Sequence, residues 1–177
     1  MEIEVISDAD SVAREAARRI AAEAKAAAAA RGAFVMAVSG GRTPWIMLRN
    51  LGQEDMPWNA GHLVQVDERV APEGHPDRNL THLRESLLQH TSLSPEHIHP
   101  MPVDSANLET ACVRYARTLE EIAGSPPVLD LVHLGRGPDG HTASLVSPWL
   151  KVAARKVSTR SQATIGPNAA TFSNRCR

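Results

Sequence analysis

The residues best suited to chemistry lie in one stretch of the chain, Asp130 to Val146, reading DLVHLGRGPDGHTASLV. The apolar run Val128 to Leu134 reads as a buried strand. It breaks into Gly135-Arg136-Gly137-Pro138-Asp139-Gly140, a turn dense in Gly, Pro and Asp. His141 follows at once. Glycines allow a backbone to approach a ligand closely. Asp139 and His141 supply a carboxylate and an imidazole, the pair most used to move protons near neutral pH. The bland alternative for His141 is a capping or core histidine, and its place in a glycine-rich loop weighs against that.

Two other stretches carry polar groups at strand ends. Ser39-Gly40-Gly41-Arg42-Thr43-Pro44 follows the apolar run Ala33 to Val38. Thr43 suits an N-cap and Pro44 a first helical position, so a helix is expected to start there. Free N–H groups and the helix dipole make such a start an anion site, best suited to phosphate. A plain βα turn is the alternative. Asp67-Glu68-Arg69 ends a strand expected at His62 to Val66. Such runs are usually solvated surface charge, but a strand end argues for more. His97-Ile98-His99 sets two imidazoles on one face of a strand. No third ligand has suitable spacing for a metal, so surface histidines on a short strand or turn are expected.

The elements that position these loops follow from periodicity. Glu2 to Ile6 alternates like an edge strand. Asp8, Asp10 or Ser11 can cap a helix running to about Arg31, with Val12, Ala16 and Ile20 on one face and Gly32 as its stop. Met47, Leu48 and Leu51 mark the next helix. Leu80, Leu83, Leu87 and Leu88 mark another, capped by Asp77 or Asn79. Leu108, Cys112, Tyr115, Leu119 and Ile122 repeat at helical spacing, behind a Ser105 or Asn107 cap, with Cys112 expected as a buried core thiol. Strand and helix alternate, which predicts an α/β fold with an open, mainly parallel, Rossmann-like sheet and helices on both faces. Ligands bind beyond the carboxyl ends of such strands, so all three loops are expected at one crevice.

The composition restricts partners. A net charge of −1 over 177 residues gives no general case for nucleic-acid binding. The N-terminus is acidic and lacks a long apolar run, so neither a signal peptide nor a membrane anchor is expected. Two cysteines make no disulfide framework. A cytoplasmic protein, expected as a monomer, is the default. All 20 acidic residues precede Ser147, and Lys151, Arg155, Lys156, Arg160, Arg175 and Arg177 follow it. Residues 1–146 therefore read as an α/β domain, which the family resemblance given below implies is incomplete, and 147–177 as a basic tail, non-native or disordered. An evolved interaction arm and a shifted reading frame with a truncated product both fit, and the abrupt change of composition favours the second.

The three motifs, GRGPDGHTASL, VSGGRTP and VDERVAP with Asn79 downstream, resemble in kind and order those of the 6-phosphogluconolactonases. These share a superfamily with the glucosamine-6-phosphate deaminases. The resemblance covers roughly residues 1–146 and implies hydrolysis of 6-phospho-D-glucono-1,5-lactone in the oxidative pentose phosphate pathway, without metal or other cofactor. His141 would be the general base and Asp139 its orienting partner. Ser39, Gly40, Gly41, Thr43, Asp67, Arg69 and Gly137 would bind the substrate and its phosphate, and N–H groups between Gly135 and Gly140 would face the oxyanion. A deaminase-like enzyme is the nearest alternative. Deaminases, however, typically carry Tyr where Arg69 stands and Asn-Glu-Pro where Ser144-Leu145-Val146 stand. An inactive sugar-phosphate-binding fragment is the other. Arg42, Arg78 and Arg136 depart from the family's usual Ser, Ser and Met. A buried Arg136 would be costly unless paired.

Overall fold

The computed structural model describes residues 3–137 and 140–145. Asp139 and the basic tail lie outside the described residues. The central strand is β1 (Phe34–Val38), buried along its whole length. It is flanked by β2 (Gly61–Gln65), and β2 in turn by β3 (Ile98–His99). On the other side of β1 lies β4 (Leu131–Val132). The order is β3-β2-β1-β4 and every pairing is parallel, with Met36 opposite Leu63 on one side and Leu131 on the other.

Among the described residues, four α-helices pack on the sheet: α1 (Ala9–Arg31), α2 (Arg42–Leu51), α3 (Asn79–Ser86) and α4 (Leu108–Ala123). Successive side chains of a strand point to opposite faces. Phe34, Met36 and Val38 accordingly enter one core with apolar residues of α1, α2 and α3. Ala37 and Val64 enter a second core with Ala111, Cys112 and Tyr115 of α4. The expected open parallel sheet with helices on both faces is therefore present.

Helix boundaries follow local chemistry. Asp8 caps α1 by accepting from the Ser11 N–H at 2.8 Å, and Gly32 closes it in the left-handed region at φ 75°. The buried stripe of α1 is Ala13, Ala17, Ile20, Ala21, Ala24 and Ala27, one position round from the expected Val12 and Ala16. Small side chains let helices approach closely, and the longer Val12 is left facing out. Asn107 caps α4 by accepting from the Thr110 N–H at 3.0 Å.

Several expectations are corrected. Residues 3–6 form no strand. Ile3 and Val5 are exposed, so the alternation has no apolar surface to face. Thr43 is not an N-cap: α2 begins two residues earlier than expected, at Arg42, with Gly41 at φ 118° as the capping residue. That backbone region favours glycine. Neither Asp77 nor Asn79 caps α3. The residue before the helix is Arg78, whose side chain makes no capping bond, and the first amides are satisfied from β2's end, as described below. The strand expected from Val128 to Leu134 is only two residues long, with Val128 72 % exposed. As the outer strand of the order, it has β1 alone as its described neighbour, so little of its surface is covered. Cys112 is buried in the core, as expected.

Candidate active site

The carboxyl ends of β1, β2 and β4 feed the three loops, and Asn79 joins two of them. Its side chain donates through Nδ2 to the Asp67 carbonyl at 3.0 Å and carboxylate at 3.1 Å. Its Oδ1 accepts from Arg69 Nη1 at 2.9 Å. The backbone of Gly40 lies against the same amide: a Cβ added there would sit 1.8 Å from Asn79 Oδ1. Only glycine fits. Arg69 is thus held by one of its five N–H groups while its side chain remains exposed beside the Gly40–Gly41 loop.

Asp67 and Glu68 are not solvated charge. Both are buried. The second Asp67 oxygen accepts from Ser144 Oγ at 2.6 Å, which ties the His141 loop to the β2 loop. With Asn79 on one oxygen and Ser144 on the other, Asp67 acts as a strut. Glu68, 0 % exposed, accepts from the backbone N–H groups of Asn79 at 2.7 Å, Leu80 at 2.8 Å and Arg69 at 2.8 Å. Gln65 Nε2 adds a fourth bond at 2.9 Å. A carboxylate at a helix N-terminus satisfies orphan amides and opposes the dipole's positive end, so Glu68 caps α3 from a distance in sequence. Its charge is matched by buried Arg78, whose Nε lies 3.4 Å away and whose Nη1 donates to Asp104 at 2.9 Å and to the Ala71 carbonyl at 3.0 Å.

In the third loop the His141 ring packs on Gly137: a Cβ there would meet His141 Cε1 at 2.1 Å. The loop closes on itself through Gly137 N–H to His141 O at 2.8 Å and Gly140 N–H to Gly137 O at 2.9 Å. These two N–H groups, expected among those facing an oxyanion, serve the turn instead. Arg136 is exposed, its guanidinium folded over Gly140, so the feared burial cost does not arise. Ser39, buried after β1, has its Oγ 3.1 Å from His133 Nδ1. Burial pushes the His133 pKa down. Thr43 is exposed in the first turn of α2.

Ser39, Gly40, Gly41, Asp67, Arg69, Gly137 and His141 therefore belong to three loops joined by direct contacts, with Thr43 in the helix turn that follows the first. Asn79, Glu68, His133 and Ser144 complete the assembly. Asn79 and Ser144 stand within the motifs, but their partners do not show in local spacing. His133 leaves a trace as a polar residue inside an apolar run. Among the described residues, no group of three or more His, Cys, Asp and Glu could hold a metal ion. No helix among them is long and apolar enough to cross a membrane.

A parallel α/β sheet with three polar loops at its carboxyl ends places this chain among the open α/β folds, whose ligand crevices lie at that end of the sheet. The chain belongs to the family described as glucosamine-6-phosphate isomerases/6-phosphogluconolactonase, whose model matches residues 7–173. That match runs past residue 146, where the motif resemblance was expected to end. The chain is 37% identical over 138 residues to a 6-phosphogluconolactonase of Synechocystis sp., covering 75% of this chain and 58% of that protein. It is 34% identical over 166 residues to one from Mycobacterium tuberculosis, covering 88% and 67% respectively. The crystal structure of the Thermotoga maritima 6-phosphogluconolactonase superposes with a TM-score of 0.71 at 27% identity, over 80% of this chain and 62% of that one. The chain thus spans about three-fifths to two-thirds of the length of these relatives.

Proposed function

We propose that this chain carries a 6-phosphogluconolactonase site, hydrolysing 6-phospho-D-glucono-1,5-lactone to 6-phosphogluconate in the pentose phosphate pathway, as a cofactor-free cytoplasmic enzyme. The observation that carries the reading is the junction of the three loops through Asn79 and Asp67, in a chain of this family. The phosphate sits at the N-terminus of α2, held by Gly40, Gly41, Ser39 and Thr43, with Arg69 adding a charge-assisted contact. His141 takes a proton from water as its oxygen adds to the lactone carbonyl. The tetrahedral intermediate collapses with cleavage of the ring C–O bond, and the departing alkoxide takes the proton back from the imidazolium. Asp139, outside the described residues, orients His141. The deaminase-like alternative has no residue here that favours it.

The test is lactone hydrolysis, corrected for the spontaneous reaction. A general base contributes a factor of about 10² to 10⁴, so His141→Gln is expected to lower kcat by that factor. Activity within about twofold of the parent would remove His141 from the reaction. A parent no faster than the uncatalysed reaction would overturn the assignment to this chain.

A further inference from the structure

Ser39 and His133 are the first residues beyond two neighbouring strands, and the pairing of β1 with β4 sets them side by side. The His133 N–H continues that pairing by donating to the Ala37 carbonyl at 2.9 Å. The side chains then meet, Oγ to Nδ1, at 3.1 Å. Gly135 backs onto the same hydroxyl, an added Cβ there lying 3.7 Å from Oγ. A serine hydroxyl has a single proton to donate. If Nδ1 accepts it, Ser39 turns lone pairs towards the glycine loop, and these repel a phosphate. If Nδ1 carries its own proton and donates to Oγ, the hydroxyl proton is free for the ligand. Burial lowers the His133 pKa and so favours the neutral ring, for which the tautomer decides between the two arrangements.

We propose that His133 is a positioning residue of the phosphate site: its Nδ1–H holds Ser39 Oγ so that the hydroxyl proton points at the phosphate of a phosphorylated sugar acid or lactone. This rests on the function proposed above. His133 does not touch the ligand and acts through Ser39.

The experiment uses the full 177-residue chain and calorimetry with 6-phosphogluconate and with gluconate. A hydrogen bond to a charged group is worth about a factor of ten or more in affinity. His133→Leu is expected to weaken 6-phosphogluconate by about that factor and gluconate by less than about twofold, with the loss during turnover in KM and not kcat. His133→Asn, which can present an amide N–H, should recover most of the loss. The Ser39→Ala, His133→Leu double variant should lose no more than Ser39→Ala alone, because one acts through the other. Unchanged preference for the phosphorylated ligand in His133→Leu, or losses that multiply in the double variant, would overturn the proposal. A second readout needs no substitution. Nitrogen chemical shifts of His133 in the parent with 6-phosphogluconate should report a protonated Nδ1, and an unprotonated one refutes it. If Ser39→Ala is selective for phosphate and His133→Leu is not, this inference alone falls. If the parent does not prefer the phosphorylated ligand, the functional reading falls with it.

Discussion

At the scale of single residues, the site depends on how little room surrounds Asn79. Gly40→Ala places a methyl where Asn79 Oδ1 now lies, so the amide must leave and release both Arg69 and Asp67. Binding of 6-phosphogluconate is expected to fall by about tenfold or more, and calorimetry giving affinity within about twofold of the parent would contradict this. Arg69→Ala removes an exposed cation together with its bond to Asn79 Oδ1, and leaves the Asn79 bonds to Asp67 in place. It should weaken 6-phosphogluconate by about tenfold and gluconate much less. Equal losses for both ligands would mean that Arg69 does not read the phosphate.

At the scale of elements, α3 is held by a carboxylate that is not its own neighbour. Glu68→Ala strips the cap from Asn79 and Leu80 and leaves Arg78 buried without that counter-charge. Breaking one side of a buried pair typically costs about 3–5 kcal/mol, and the urea midpoint should fall accordingly. A loss below about 1 kcal/mol would show that α3 finds other partners. The β2–β3 edge carries a proton-sensitive contact. His62 Nδ1 lies 3.1 Å from His99 Nε2, and the His97 ring lies against His62 at 4.3 Å between centroids. Burial first, then the neighbouring imidazoles, lowers the pKa of both His62 and His99 below 6.5. The folded protein therefore binds fewer protons than the unfolded chain in that range. Their contribution is complete above the unfolded value and is lost as pH falls through the folded ones. The urea midpoint should drop between about pH 7 and pH 5, and His62→Asn combined with His99→Gln should flatten that slope. A slope unchanged by the pair would place the titration elsewhere.

At the scale of the whole molecule, β4 has a single described neighbour, carries exposed Val132 and is flanked in sequence by exposed Val128 and Leu134. Uncovered strand edges with apolar side chains invite self-association, and lysine suppresses it. Val128→Lys with Leu134→Lys is expected to reduce light scattering and hydrophobic-dye binding of the purified chain. Unchanged signals would mean this edge is not the sticky surface. Much of the architecture is legible in the sequence. The α4 stripe repeats at helical spacing, β1 is a bare apolar run, and each polar loop follows a strand. The edges are less legible, because Glu2 to Ile6 and Val128 to Leu134 have strand-like patterns and only tertiary neighbours decide whether such patterns pair. Within the site, the loop residues can be read from their motifs. The roles of Glu68 and Ser144 cannot, because the Ser144 partner is 77 residues away and the Glu68 cap acts on a helix 11 residues on.

Asn79 is both the first residue of α3 and the clasp of the crevice. In the proposed site, folding and recognition therefore use the same atoms, and a substitution at Asn79 is expected to alter both. A selection that scores only soluble protein and one that scores only turnover should return nearly the same permitted residues at positions 40, 68 and 79. At 69 and 141 the two lists should diverge.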